Sequence, residues 1–462
     1  MSGVEDHGSV IILDFADKSP FFMFLGACRL TKRILALAVG LWSILNFASC
    51  GYSAPKTHTS GLTERVVASQ GVSSATAAGG LYLIDGVNDT IARVSPLSAG
   101  GAPGLLAISP TRNVLVAFDA SSTTVFAVST VSEASIGSVR IQGPTSSMVV
   151  PLASPLAYAA VPSAVVTGFA FQGAVDALSF SNSSLLTIAV PNAQTVVAND
   201  NGSQLLVFSN DSDSVTVLAP TVAVPPVDTS CYSTTPNPVC TVVTGFDRPV
   251  FAVVSGNTAY ILNCGPQCGG VQASVAIFDL SSLTITSTIP VDAATMAFLN
   301  GSTLYVAGTP ASSANNACTG QTTAATFCGR LDLVDLSSGT VTSSAVITDG
   351  FHDRMDMTAN GQLFIGSHSC TNVGDVNNPN GEVRGCLSIY KTADGSVLIP
   401  PDNGDVLGLQ GFVSRTVEYV AEGGALRVYD INKDILLIND FVPQGSINIP
   451  GYIGDVKAID FF

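Results

Sequence analysis

The segment Phe351–Asp356 is the densest cluster of side chains in this sequence that could do chemistry. It combines a candidate base, two carboxylates and an anion-binding guanidinium: His352, Asp353, Asp356 and Arg354. Groups of these types transfer protons and stabilise developing negative charge when an ester or lactone is hydrolysed. The chain has no nucleophile elbow, phosphate-binding loop or histidine-rich metal cluster to accompany them. A solvated loop with an internal Asp–Arg pair is therefore the favoured interpretation, and a hydrolytic site is the alternative.

Eight cysteines follow Cys50 and fall into four local pairs: Cys231 with Cys240, Cys264 with Cys268, Cys318 with Cys328, and Cys370 with Cys386. An even number of clustered cysteines in an exported chain predicts disulfides. Each would close a short loop and contribute roughly 2–3 kcal/mol. Thiolate ligation of a metal is the alternative. Because an exported chain is exposed to oxidising conditions and no histidine lies near Cys264 and Cys268 in the sequence, we expect disulfides and no metal site.

Aspartates recur just before or at the start of predicted strands, at Asp247, Asp292, Asp353, Asp405 and Asp455. If they converge, they form a negatively charged binding rim that favours a cation or a cationic ligand. If each one instead hydrogen-bonds to nearby backbone amides, it only caps its own turn. The capping interpretation is favoured, and no other cofactor is predicted.

A unit of strand, polar turn, strand, variable loop and strand recurs at intervals of roughly forty to sixty residues. Its clearest copy runs from Asn199 to Leu218. The second strands of the copies begin near Leu81, Val114, Leu156, Gln204, Thr258, Ser302, Gln362 and Thr416. Such units bury their faces against their neighbours, so the chain is expected to form one repeat array.

The copies Ile108–Val116 and Asn199–Leu218 resemble the YVTN-type β-propeller repeat, in which a Ser-Pro-Asp-Gly-like turn leads into a strand and then an Asn-rich loop. The resemblance implies an all-β propeller of four-stranded antiparallel blades around a central channel. Eight blades are favoured, seven are the runner-up, and a β-sandwich or β-helix is the alternative fold. The segment Asp455–Phe462 resembles an orphan first strand. Its pairing with the first blade, beside the strand at Leu81, would close the ring.

Strand parity predicts where the cysteine pairs lie, because alternate connections of a four-stranded blade emerge on opposite faces. Three pairs are expected between second and third strands, and Cys231/Cys240 between a fourth strand and the next first strand. Both kinds of connection emerge on the same face. The sequence therefore predicts one disulfide-braced, loop-rich face, which is where a propeller usually binds its ligand.

The N-terminus carries basic residues, the apolar run Ile34–Phe47 and the sequence Phe47–Gly51, which resembles the lipobox of bacterial lipoproteins. The resemblance implies lipid attachment at Cys50, although Phe47 stands where that family usually has Leu. An ordinary cleaved signal peptide and a retained membrane anchor remain open. The predicted organisation is an extension and signal over 1–49, a flexible tether over 50–79, and a single propeller over 80–462.

Composition narrows the function further, since the formal net charge is −16 and only 11% of residues are charged. Such a surface repels nucleic acid and anionic lipid, so membrane association is expected only through the lipid anchor. The predicted location is the cell envelope, as an outer-membrane lipoprotein facing the periplasm or the cell surface. The favoured function is a non-enzymatic binding or scaffold platform for a protein, peptide or glycan. A lactonase-like hydrolase near His352 and a structural envelope component are the alternatives.

Overall fold

A computed structural model describes residues 59–72, 79–152, 154–220, 229–230, 240–311, 329–370, 385–400, 404–412, 414–439 and 442–460. These residues form eight antiparallel sheets, the blades of a β-propeller within the unit Thr57–Phe462. In the described parts of the chain the only helix is the short 3₁₀ helix Gly265–Cys268, and no helix is long and apolar enough to span a membrane. The prediction of an eight-bladed propeller is confirmed.

The strands are numbered in chain order, and the blades in the order in which they first appear. Blade 1 contains β1 Arg65–Val72, β2 Leu81–Asp85 and β3 Thr90–Ile91. Blade 2 contains β4 Pro103–Ile108, β5 Val114–Asp119, β6 Thr124–Ser129 and β7 Ala134–Arg140. Blade 3 contains β8 Ser147–Val149, β9 Ala157–Val165, β10 Gln172–Ser179 and β11 Ser184–Ala189. Blade 4 contains β12 Ala193–Ala198, β13 Leu205–Ser209, β14 Ser214–Leu218 and β16 Cys240–Thr244, while the intervening β15 Thr229–Ser230 pairs in parallel with β11 of blade 3.

The second half of the ring follows the same plan. Blade 5 contains β17 Pro249–Ser255, β18 Thr258–Asn263, β19 Ser274–Asp279 and β20 Thr284–Pro290. Blade 6 contains β21 Met296–Asn300, β22 Thr303–Gly308, β23 Gly329–Asp335 and β24 Thr340–Ile347. Blade 7 contains β25 Phe351–Met357, β26 Gln362–His368, β27 Leu387–Lys391 and β28 Val397–Leu398. Blade 8 contains β29 Val406–Gly411, β30 Val417–Glu422, β31 Ala425–Asp430 and β32 Ile435–Leu436, with β33 Ser446–Ile447 beside β31.

The last strand, β34 Tyr452–Ala458, closes the ring by pairing antiparallel with β1 in blade 1. The predicted closure by the C-terminal strand is therefore confirmed, but one detail was wrong. The strand Leu81–Asp85 is the third strand of its blade, because β1 lies between it and β34.

The strand β1 also corrects the predicted tether, since it lies within residues 50–79 and belongs to the propeller. Val66, Val67 and Ala68 are all completely buried. Because both faces of β1 pack against neighbouring sheets, its sequence shows no alternation of apolar and polar residues. The Ser- and Ala-rich surroundings therefore concealed it.

The core consists of layers between successive blades. Between blades 8 and 1, for example, Val66 and Ala68 of β1 pack with Tyr419 and Val428. The full burial of a valine such as Val66 or Val428 stabilises the fold by about 1.5–3 kcal/mol. The two faces of each blade thus belong to two different core layers, and each sheet packs against both of its neighbours.

The inner strands of blades 8, 1 and 2 approach each other closely at two glycines. A Cβ added to Gly454 would lie 3.0 Å from the Cα of Gly104. A Cβ added to Gly408 would lie 2.8 Å from the backbone nitrogen of Val456. Side chains larger than hydrogen therefore do not fit at these two positions without a shift of the neighbouring backbone.

Two disulfides occupy connections between second and third strands, Cys264–Cys268 in blade 5 and Cys370–Cys386 in blade 7. These connections emerge on what we call the upper face, together with those that lead from a fourth strand to the next blade. Cys240 is also disulfide-bonded, but it begins β16, the fourth strand of blade 4. It therefore lies at a third-to-fourth connection on the lower face, and the prediction that all pairs share one face is wrong for Cys240. Cys50, Cys231, Cys318 and Cys328 lie outside the described residues.

Candidate functional site at the upper mouth of the channel

The upper end of the channel opens into a cavity of about 590 Å³, which we call the upper mouth. Inner strands of blades 3 to 7 and the adjoining upper loops line it. One wall carries hydroxyl and amide groups from Ser146, Ser147, Gln194, Thr195, Ser209 and Asn210. The opposite wall carries cationic, acidic and apolar side chains from Arg248, Val250, Phe251, Met296, Phe351, Asp353, Arg354 and His368.

Asp353, Arg354 and His368 form the polar centre of the second wall. A β-bulge between His352 and Arg354 shifts the register of β25 against β26 and changes the direction of the following side chains. Arg354 Nη1 lies 3.1 Å from Asp353 Oδ2, and His368 Nδ1 lies 3.6 Å from Asp353 Oδ1. Arg354 Nε donates to the carbonyl oxygen of Leu407 at 2.7 Å, which holds the guanidinium against blade 8.

The charges of this cluster support one another. The nearby carboxylate of Asp353 raises the pKa of His368 above its ordinary value, although burial opposes the shift. Burial alone would raise the pKa of Asp353, but the neighbouring Arg354 and His368 outweigh it and lower that pKa. At neutral pH Asp353 is therefore ionised, and His368 is protonated more often than an isolated histidine. The side chain of His368 is 37% exposed, so its ring remains accessible from the cavity.

The four residues suggested for catalysis are not brought together. His352 is completely buried, does not line the upper mouth, and its Nε2 lies 3.0 Å from the carbonyl oxygen of Thr348. Burial lowers the pKa of His352 to about 4, so it is neutral at physiological pH. Asp356 lies at the other end of β25 and lines a smaller cavity on the lower face. Only Asp353 and Arg354 of the suggested set reach the upper mouth.

His368 is the site residue that sequence reasoning passed over. It ends the second strand of blade 7, and β-sheet pairing places it opposite Phe351, with the two rings 5.3 Å apart. One feature of the sequence pointed to it: His368 ends the strand that forms a hairpin with the strand containing residues 351–356. That signal becomes useful only once the register of the hairpin is known.

Of the predicted rim aspartates, Asp353 lines the cavity, whereas Asp247, Asp292, Asp405 and Asp455 do not. Each of these four carboxylates has a partner inside the fold. The carboxylate of Asp247 accepts a hydrogen bond from the backbone amide of Gln272 at 2.6 Å, and that of Asp405 accepts one from Ser369 at 2.9 Å. Asp292 lies 3.9 Å from Arg330. Asp455 bridges blades 1 and 2 by accepting from the amide of Leu106 at 2.9 Å. These contacts join each aspartate to another strand or loop and not to its own turn, and a cation at the rim stays a prediction.

The disulfide Cys264–Cys268 shapes one edge of the upper mouth, where Cys268 lines the cavity. Its 3₁₀ turn presents Gln267, which accepts a hydrogen bond from the amide of Thr309 at 2.9 Å and donates to the carbonyl oxygen of Gly350 at 3.3 Å. One loop of blade 5 therefore contacts blades 6 and 7, and this bridge fixes the edge of the cavity.

A second cavity of about 160 Å³ lies at the lower end of the channel, where Asp356 and Arg112 line it. Glu418 is completely buried next to Asp356, and neither of its carboxyl oxygens has a hydrogen-bond donor. Burial, together with the charge of Asp356, raises the pKa of Glu418 well above its ordinary value. The carboxyl of Glu418 is therefore neutral over a wide pH range. No group of three or more histidine, cysteine or acidic residues that could hold a metal occurs within the described ranges.

Comparisons with known proteins identify the fold and no family. No protein-family model and no curated protein sequence matches this chain. Among solved structures, it is similar to the dihydro-heme d1 dehydrogenase NirN in complex with DHE, with a TM-score of 0.55 and 12% identity over 89% of this chain and 76% of that chain. A similarity to Kuenenia stuttgartiensis hydrazine synthase has a TM-score of 0.40 and 13% identity over 72% of this chain and 77% of that chain. At this level of identity, the similarity to NirN shows the propeller fold alone.

Proposed function

We propose that this protein is an exported, lipid-anchored propeller that binds a ligand with an anionic group in its upper mouth, without transforming it. The observation that carries the proposal is the roughly 590 Å³ cavity with Arg354 and His368 on its wall. Pockets of this size suit small ligands or the end of a larger one, held by a few fixed polar groups. The two disulfides on the upper face are consistent with export, and Cys268 of one of them lines this cavity.

An anion is favoured because the guanidinium of Arg354 is held in place by only some of its N–H donors. Its Nε and Nη1 donate within the protein, to Leu407 and Asp353, which fixes the plane of the guanidinium. The positive charge of His368 adds to the attraction at neutral or lower pH. A fixed guanidinium beside a cationic ring binds a carboxylate through charge-assisted hydrogen bonds.

The test uses benzoate and its neutral counterpart benzamide with the purified full-length protein. Benzoate is expected to raise the melting temperature in a concentration-dependent way, because a ligand that binds only the folded state stabilises it. Benzamide is expected to have no effect, and benzoate is expected to lose its effect in Arg354→Met. Arg330→Met, on the same face but outside the cavity, is the matched control. Equal shifts with the two compounds, or a shift that survives in Arg354→Met, would contradict the proposal.

A hydrolytic function is the second candidate, and the pairing of His368 with Asp353 favours it. A histidine oriented by a carboxylate can remove a proton from water as the water attacks an ester or lactone carbonyl, and Arg354 could stabilise the resulting oxyanion. This candidate predicts hydrolysis of p-nitrophenyl acetate that His368→Gln abolishes. Activity that is absent, or unchanged in His368→Gln, would eliminate it.

A further inference from the structure

We infer that the ligand of the upper mouth is a sugar acid: a uronic acid, alone or at the end of a short oligosaccharide. This inference rests on the proposed anion-binding function and adds the ligand class. It follows from three properties of the cavity: a wall of pre-oriented hydroxyl and amide groups, an apolar patch facing it, and a cluster with at most one net positive charge.

The polar wall is a connected chain of side chains from blades 3 and 4. Asn210 Nδ2 donates to Gln194 Oε1 at 3.0 Å, and Gln194 Nε2 donates to Ser146 Oγ at 2.8 Å. These hydrogen bonds determine which atoms of the three side chains are still available to hydrogen-bond to a ligand. The hydroxyl hydrogen of Ser146 and the second amide hydrogen of Gln194 can donate, and the carbonyl oxygen of Asn210 can accept. Alternating donors and acceptors match a polyol, because each of its hydroxyl groups both donates and accepts.

The apolar patch consists of Phe251, Met296 and Phe351, each of them half-buried. Phe351 also contacts the ring of His368, so apolar surface lies directly beside the cationic group. A pyranose ring has an apolar face formed by its C–H groups, and aromatic side chains bury such surfaces well. A flat carboxylate without hydroxyl groups would pack on the apolar patch and pair with Arg354, but it would form no hydrogen bonds with the polar wall.

Charge limits the anion to a single negative charge. The charged side chains that line the cavity are Arg248 and Arg354 with one positive charge each, Asp211 and Asp353 with one negative charge each, and His368 with zero to one positive charge. The cavity therefore carries at most one net positive charge. A carboxylate neutralises that charge. A phosphate dianion would exceed it and would meet the carboxylate of Asp353.

The experiment is isothermal titration calorimetry of the full-length protein with D-glucuronate, D-glucose and benzoate. We expect glucuronate to bind at least about ten-fold more tightly than either other compound, since only glucuronate uses both walls. Gln194→Met is expected to weaken glucuronate about five-fold or more and to leave benzoate unchanged. Arg354→Met is expected to weaken glucuronate and benzoate alike. Melting curves of each variant establish that it is folded.

The possible failures separate the two proposals. Benzoate that binds as tightly as glucuronate, or glucuronate that is insensitive to Gln194→Met, would overturn the sugar acid while leaving the anion site intact. Glucose that binds as tightly as glucuronate would overturn the requirement for a carboxylate. If neither carboxylate binds, or if Arg354→Met binds both normally, the proposed function fails as well.

Discussion

Arg65 offers the sharpest test of how the ends of the chain lock the propeller. Its guanidinium is 1% exposed and donates to Asp460 through Nε and Nη2, each at 2.8 Å. Nη1 also donates to Glu133 of blade 2 at 2.8 Å and to the carbonyl oxygen of Thr130 at 2.6 Å. Although burial opposes it, hydrogen bonds and charge from Asp460 and Glu133 raise the pKa of Arg65, so it stays charged. One side chain thus connects β1, blade 2 and Asp460, the second residue after the closing strand.

The substitution Arg65→Met keeps most of the apolar stem and removes the charge. It leaves Glu133, with 3% of its side chain exposed, and Asp460, with 11%, as carboxylates without their main partner. Breaking a buried ion pair in this way costs about 3–5 kcal/mol. At roughly 2.1 cal/mol/K per residue, a unit of about 400 residues has an unfolding entropy of about 0.8 kcal/mol/K. The expected fall in melting temperature is therefore about 4–6 °C.

Differential scanning calorimetry measures this shift, with Arg330→Met as the control. Arg330 lies 3.9 Å from Asp292, whose side chain is 41% exposed, so this pair contributes about 0–1 kcal/mol. The control should melt within about 1 °C of the wild type. If Arg65→Met and Arg330→Met melt at the same temperature, the ion pairs of Arg65 with Asp460 and Glu133 do not stabilise the propeller.

Three further predictions concern the lower mouth, the disulfide loop and the titration of the site. Because the pKa of Glu418 is raised in the folded protein, its contribution to stability is present below the unfolded pKa and is lost as pH rises toward the folded one. Glu418→Gln should therefore lose less stability than the wild type between pH 5 and pH 8 in urea unfolding, by up to about 1.4 kcal/mol per pH unit, and parallel pH profiles would contradict this. Replacing both Cys264 and Cys268 by serine should lower the unfolding free energy by about 2 kcal/mol in urea unfolding, and an unchanged value would show that the loop is held by other contacts. Since Asp353 raises the pKa of His368, affinity for benzoate should fall as pH rises through that pKa, whereas calorimetry on His368→Gln should show a flat profile over the same range.

Much of the propeller could be predicted because its turns have strong local signals. Gly202 and Gly361 take positive φ angles of 70° and 84° at the turns after Asn201 and Asn360. Such turns mark where one strand ends and the next begins, independently of the rest of the fold. The second strands of blades 2 to 8 were placed correctly for this reason. In blade 1 the strand at Leu81 was assigned the wrong place in its sheet, because β1 is buried on both faces and has no strong turn signal on either side.

The site was predicted in part, and the limit is again physical. Asp353 and Arg354 are adjacent in the sequence, so their ion pair required no knowledge of the fold. The approach of His368 depends on the register of the hairpin formed by β25 and β26, and a shift of one residue would turn it to the other face. The burial of His352 likewise depends on which side of β25 faces the next blade. The lower-face position of Cys240 depends on where β16 begins, which no local signal marks.

The central claim is that the upper mouth is a ligand site in which Arg354 binds a carboxylate. A crystal structure of the protein grown with D-glucuronate tests it most directly. We expect density for the carboxylate at Arg354 and His368, and density for the ring between Phe351 and the wall formed by Gln194 and Asn210. An upper mouth that stays empty, or a sugar bound with its carboxylate away from Arg354, would contradict the account.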